Sequence, residues 1–292
     1  LRRLKNYSKS VGYYFTDDFQ EPTATRIFHK VLVVYTLLRM TLVWPLSRMV
    51  MSYHSISLPK SLPGKLLLGG AFLANQHVDV FFGIGVLLLV VILFTNVNYI
   101  GNLVFFYLTF NLYVINLPIA DGSDVVLFML SLWCIPIATL PVISNERGKV
   151  IQKVLYNLAL LFCQIQVAYI YFISGLDKLM SDTWRSGVAF DYIRHLEVLY
   201  NPVLPPIFAS EFWNIIFSWS TILFELSFVF LVWNRSIRLP MLLIGSIFHL
   251  FIWIVLSLPD FALIMIASYL VFLKDSDYDR IKSWVKRRLP LK

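Results

Sequence analysis

The chain has 292 residues, of which 58% are hydrophobic and only 14% charged, with 25 Lys and Arg against 17 Asp and Glu for a net charge of +8. A soluble domain carries roughly 25% charged residues, so a water-exposed globule of this length is excluded, and the mean hydropathy of +0.72 agrees. The positive charge does not indicate a nucleic-acid partner, because the basic residues flank apolar runs and form no basic, aromatic-interleaved face.

Residues 1–26 are polar and basic, with Pro22 and Thr23 before the first apolar run. No cleavable signal is expected there, since that run is long and contains Arg39 and Arg48. Eight apolar runs follow, at about 27–51, 78–95, 99–117, 124–143, 154–174, 213–233, 239–258 and 260–273. A bilayer crossing needs about 20 residues, so each run is read as a crossing, although the last is short and two arginines punctuate the first. Breakers separate them: Pro59 and Pro63, Pro118 with Gly122, Ser144–Asn145, and the cluster Pro202, Pro205 and Pro206. The expected fold is an all-α integral membrane protein, a bundle of about eight transmembrane helices. It divides into a cytoplasmic N-terminal segment (1–26), a polytopic domain (27–273) and a basic cytoplasmic tail (274–292).

Charge gives the orientation. With the N-terminus inside, the loops at 96–98, 144–153 and 234–238 and the tail fall inside, and they hold Arg147, Lys149, Lys153, Arg235, Arg238 and the basic residues from Arg280 onward. The turns near 118–123 and 258–260 fall outside and offer only Asp121 and Asp260. Both termini are thus expected in the cytoplasm, as the positive-inside rule requires. Two long connections, about 52–77 and 175–212, then lie on the outer face. In the second, Ala189, Tyr192, Ile193, Leu196, Leu199 and Tyr200 recur at helical spacing against Asp191, Arg194 and Glu197. That pattern predicts an amphipathic helix, either flat on the interface or a lid over a cavity. Cys134 and Cys163 sit inside apolar runs with no CxxC or metal spacing, and read as small core residues.

An ionisable side chain inside a crossing costs about 2.5–3.5 kcal/mol to insert and therefore needs a partner or a task. Arg39 lies near the middle of the first run, Glu225 of the sixth and His249 of the seventh, while Gln164 and Gln166 add amides to the fifth. A plain structural role for Arg39 and Glu225 is an ion pair with each other. For His249 it is a neutral imidazole bonded between helices. Lys178 lies just past the fifth run, beside Asp177, and is either a lysine snorkelling to the interface or a general base. An amine serves as a base only when neutral, and burial among apolar groups disfavours its charged form. There is no HExxH, GxSxG, Walker loop or GxGxxG, and the five histidines show no metal-ligand spacing, so no metal is expected.

The run Tyr171-Phe172-Ile173-Ser174-Gly175-Leu176-Asp177-Lys178-Leu179, then Asp182-Thr183-Trp184-Arg185-Ser186-Gly187, resembles the signature of the vitamin K-dependent gamma-carboxylases and of their bacterial relatives, the horizontally transferred transmembrane domain proteins. Arg39, the run Glu225-Leu226-Ser227 before Arg235-Ser236-Ile237-Arg238, and Phe248-His249 before Phe261 fit the same order. The compact form is similar to the sporulation-delaying protein B group, which takes part in maturing a secreted toxin peptide. The resemblance implies that Lys178 is the base that deprotonates a reduced isoprenoid quinone (menaquinol-like), which oxygen then converts to an epoxide in carboxylase- or lyase-type chemistry. Arg39, Asp121, Gln166, Asp177, Trp184, Glu225 and His249 would shape or polarise the cavity. The implied partners are the lipid bilayer, an exported peptide or protein at the outer face, and a membrane-protein complex, in a bacterial inner membrane. The carboxylases carry a histidine after the third crossing, where this chain reads Ile119-Ala120-Asp121-Gly122-Ser123-Asp124, and a large soluble portion after the bundle. The expectation is therefore quinone or lipid chemistry, or the handling of an exported peptide. A non-enzymatic accessory role in maturation or export, or in a larger membrane complex, is the alternative.

Overall fold

A computed structural model describes residues 23–53, 56–57, 59–95, 98–137, 146–196 and 210–288. Among them the chain is all helix, with no β-strand. The helices are α1 (Thr23–Tyr53), α2 (Leu62–Leu67), α3 (Gly69–Phe94), α4 (Tyr99–Ile115), α5 (Gly122–Ile137), α6 (Glu146–Met180), α7 (Asp182–Arg185), α8 (Ala189–Arg194), α9 (Glu211–Leu231), α10 (Arg238–Leu256), α11 (Pro259–Ser268) and α12 (Asp275–Arg288). A 3₁₀ turn, Tyr269–Phe272, extends α11. The chain forms two compact units, residues 1–163 and 164–292, and α6 runs from one into the other.

In their described residues the eight apolar runs fall mainly on helices, 138–143 of the fourth lying outside them, and five described helical stretches have the length and apolarity of a crossing: Ala24–Ser52, Leu62–Phe94, Arg147–Met180, Glu211–Leu231 and Arg238–Leu256. The other three are shorter, and 17 residues of α4 or 16 of α5 reach about 24–26 Å at 1.5 Å per residue, below the hydrocarbon thickness of about 30 Å. Two boundaries differ from expectation. The second run, expected from 78, is preceded by a further helical piece from Gly69, and the two pieces meet at a kink where His77 is non-helical (φ −141°, ψ 67°). Lys178 is not past a helix end: α6 continues through it to Met180. Outward faces are apolar, with Leu42, Ile100 and Phe230 each 70–71% exposed. The membrane reading follows from those faces together with the buried polar groups.

In the first unit α1 packs on α3, and α4 on both α3 and α5. Polar side chains stitch these helices together. His29 Nε2 meets Asn102 Oδ1 at 2.7 Å, and Asn102 donates onward to the Cys134 carbonyl. Ser47 donates to Asn116 Oδ1 at 2.7 Å, and the Thr109 and Ser131 hydroxyls meet at 2.6 Å. Away from water such groups must find partners inside the protein. The same rule governs Arg39, whose Nη2 and Nε donate to the two oxygens of Asp124 at 2.9 and 3.2 Å. Arg39 therefore pairs with Asp124, in the first turn of α5 within the same unit, while Glu225 pairs with Lys178.

In the second unit α9 packs on α7, α8 and α10, and α10 on α11. Gln164 donates to the Val271 carbonyl at 2.7 Å, tying α6 to the turn after α11. Arg238, in the first turn of α10, donates to Asp277 of α12 at 2.6 Å, and both are buried. Of the expected amphipathic helix at 189–200, the described part is α8 (Ala189–Arg194), followed by a turn at His195. Beyond it, Glu197, Leu199 and Tyr200 lie outside the described residues, as does the segment 1–22.

Removing one member of a buried pair costs about 3–5 kcal/mol, so Asp124→Ala is expected to lower the unfolding midpoint of the detergent-solubilised protein by many degrees. Asp79→Ala breaks the Arg48–Asp79 pair, whose side chains are 57% and 58% exposed, and is expected to shift it little. Thermal unfolding of both variants checks this, and equal shifts would show that the Arg39–Asp124 pair does not organise its unit.

Candidate functional site

Three helices carry the polar groups of one cavity in the second unit. On α6, Tyr171, Ser174 and Lys178 are spaced three and four residues apart and share a face. On α9, Thr221 and Glu225 do the same, and α10 brings His249. The cavity between them has a volume of about 170 Å³. Its remaining wall is almost wholly apolar, with Trp184, Phe190, Phe248, Phe251, Phe261 and Met265 on α7, α8, α10 and α11.

Glycines set how closely these walls approach. A Cβ on Gly175 would lie 3.0 Å from Leu226 Cγ and 3.1 Å from Glu225 Cβ, so the bare backbone there lets α6 approach α9. At Gly245 a Cβ would collide with the Tyr269 ring. Gly187 joins α7 to α8 at φ +80°, a conformation open to glycine, and a Cβ there would come within 2.8 Å of Ile215 Cα.

At one end of the cavity, Lys178 Nζ donates to both Glu225 carboxylate oxygens at 3.0 Å and to Ser174 Oγ at 2.5 Å. Ser174 donates in turn to Glu225 Oε1 at 3.2 Å, closing a triangle. The Lys178 side chain is 19% exposed and that of Glu225 6%, so water screens this pair little. The Trp184 ring lies 5.1 Å from the ammonium, within cation–π range. His249 Nε2, also of the lining, lies 2.5 Å from the Tyr171 hydroxyl, which meets the Tyr269 hydroxyl as well. Tyr171 stacks against Phe228 with centroids 4.2 Å apart.

Of the residues singled out by sequence, Lys178, Trp184, Glu225 and His249 line this cavity. Asp177 is exposed and does not, since adjacent helical residues point apart. Gln166 lies on α6 away from the wall. Arg39 and Asp121 belong to the first unit, where Asp121 accepts from the Ser123 amide at 2.7 Å at the start of α5. No cluster of metal-ligating side chains occurs among the described residues. Sequence reasoning gave no role to Ser174, Tyr171, Tyr269 or Asp124. Ser174 had a readable signal, one turn before Lys178; the tyrosines did not, since an aromatic in an apolar run reads equally as packing.

The HTTM domain matches residues 125–276, more than half of the chain and every wall of the cavity. This chain belongs to the HTTM domain family. It is also similar to sporulation-delaying protein SdpB of Bacillus subtilis (strain 168), at 23% identity over 177 residues, which are 56% of this chain and 54% of that protein. The chain thus spans about half the length of the curated relative it matches. No solved structure matches it.

Because a Cβ at Gly187 meets backbone rather than a movable side chain, Gly187→Ala is expected to lower the unfolding midpoint clearly. Gly83→Ala is the control: a Cβ there meets only Trp44 at 3.8 Å, and replacing a mid-helix glycine gains roughly 0.5–1 kcal/mol. Equal midpoints would mean that the α7–α8 wall is not held by this turn.

Proposed function

We propose that this HTTM-family protein crosses a bacterial inner membrane eight times with both termini in the cytoplasm, and that its cavity, near the outer face, takes a reduced isoprenoid quinone or a similar ring-bearing lipid. In this reading Lys178 is the base and an exported peptide or protein is what the chemistry serves. The observation that carries it is a lysine–carboxylate pair set in the wall of an otherwise apolar, ring-sized cavity. The fit is supported by size: an apolar cavity of about 150 Å³ holds one benzene, and this one has about 170 Å³. When bound, a quinol would supply an acidic hydroxyl and the electrons for oxygen.

The protein's own residues divide the remaining work. An ammonium is no base, so Lys178 must first shed a proton, and Glu225 is placed to take it, with both oxygens at 3.0 Å. That transfer turns two charges into a neutral amine and a neutral acid, which apolar walls tolerate better. Ser174 holds both groups in line. The aromatic walls exclude water from the amine.

The accessory reading rests on the same triangle. Lys178, Glu225 and Ser174 satisfy one another, so the pair also serves as helix packing alone, and the match to SdpB fits a role in secreted-peptide maturation without chemistry of its own.

Purified full-length protein and its Lys178→Met variant, given reduced menaquinone, oxygen and bicarbonate, separate the two readings, with quinone products read by mass spectrometry. Epoxide from the parent and at least a hundredfold less from the variant is the expected result for a general base, whose contribution is about 10²–10⁴-fold. No epoxide from either, in detergent and in native membranes alike with both folded, overturns the enzyme reading. The accessory reading predicts instead a second membrane protein co-purifying in stoichiometric amount.

A further inference from the structure

Unlike the ion pairs at Asp124, Glu225 and Asp277, the pair between α1 and α3 faces outward, with the side chains of Arg48 and Asp79 57% and 58% exposed. These helices run antiparallel, with Trp44 stacked on Phe82 and Met40 over Gly85. Arg48 is followed by five more residues of α1, about 8 Å of helix, and Asp79 is the second residue of the run 78–95. The pair thus lies at one end of both apolar stretches, where headgroups begin. Away from that end, Leu38 and Leu42 of α1 and Ile84 and Leu87 of α3 are 48–70% exposed, as on a lipid-facing flank. The pair leaves half of each charged group unanswered. The Trp44 indole N–H and Arg48 Nε donate to the same oxygen, Asp79 Oδ1, at 2.7 and 2.6 Å. Asp79 Oδ2 and the two terminal nitrogens of Arg48 have no hydrogen-bond partner among the described residues. Trp44, one turn before Arg48 and 5.9 Å from its guanidinium, holds this arrangement.

We infer that Arg48 and Asp79 form a headgroup site for a phospholipid with a primary ammonium, a phosphatidylethanolamine-type lipid. Its phosphate meets the terminal nitrogens of Arg48 and its ammonium meets Asp79 Oδ2. The choice follows from charge complementarity: one free fork of donors stands beside one free carboxylate oxygen, and the headgroup carries the opposite pair on a short two-carbon bridge. Hydrogen bonds between ionised groups are the strong ones, and a guanidinium fork suits a phosphate. An anionic glycerol headgroup answers Arg48 but brings nothing positive to Asp79. A choline headgroup brings the charge, yet its ammonium has no N–H to donate and its methyl groups hold it away. The acyl chains then lie along the exposed apolar side chains of α1 and α3. Trp44 is a positioning residue: by occupying Oδ1 it leaves Oδ2 to the lipid. Bulk water would also satisfy these groups, but without preference among headgroups.

The test titrates the full-length protein in detergent with dioleoyl-phosphatidylethanolamine, -phosphatidylcholine and -phosphatidylglycerol, which share their acyl chains. Native mass spectrometry reads the apparent dissociation constant of the first bound lipid. The ethanolamine lipid is expected to bind roughly tenfold tighter than either of the others, the worth of a hydrogen bond to a charged group. Asp79→Asn should bring it down to the level of the choline lipid and tighten the glycerol lipid, because the repelling charge has gone. Arg48→Gln should weaken all three, since each carries a phosphate. A parent that binds the three lipids equally, or prefers the glycerol or choline lipid, overturns the inference. So does an ethanolamine preference that persists in Asp79→Asn. Equal weakening of all three lipids by Asp79→Asn would mean that the pair only holds α1 against α3, and also overturns it.

Discussion

The outward faces of these helices are apolar, so a polar group inside either unit has no water to fall back on and must be answered by another side chain. Most of the internal order follows from that constraint. Three buried ion pairs show it: Arg39 with Asp124, Lys178 with Glu225, and Arg238 with Asp277. Their members are 85, 47 and 39 residues apart in sequence, so each pair selects a tertiary neighbour rather than reinforcing a local turn. Such pairs add little net stability compared with a well-packed apolar replacement. Their effect is on choice: a helix that slides by one turn leaves a charge stranded among apolar groups.

The second unit applies the constraint around an empty volume. Close approach of α6 and α9 is possible because Gly175 has no side chain, and the Tyr269 ring finds its place because Gly245 has none. Aromatic rings then form walls that are stiff for their size. Among the described residues, polar atoms enter this apolar shell in the charge-compensated triangle at Lys178, in the tyrosine–histidine chain at His249 and at the Thr221 hydroxyl, which donates to the Phe217 carbonyl.

Much of this was legible from residue order alone. The apolar runs give the helices, because hydrophobic length is a local property, and Lys178, Glu225 and His249 stand out because charge and imidazole are rare in such runs. Less legible were the ends and partners. A helical piece from Gly69 precedes the kink at His77, and helical residues continue past Lys178, since hydropathy falls before hydrogen bonding stops. Arg39 seemed matched to Glu225 because both are mid-run charges of opposite sign. Asp124 is the first residue of its run, where a charge draws no attention, yet its place in the first turn of α5 puts it within reach of α1.

By itself, then, the sequence determined the solvent this protein needs, the helical stretches and the few polar groups that must be accounted for, all of which depend on composition within about 20 residues. Only the tertiary structure decided which charge meets which, that Ser174 completes the Lys178–Glu225 pair, and that two tyrosines meet in a chain at His249. Those depend on the rotation and approach of helices far apart in the chain, set by glycines and ring packing that no local pattern encodes.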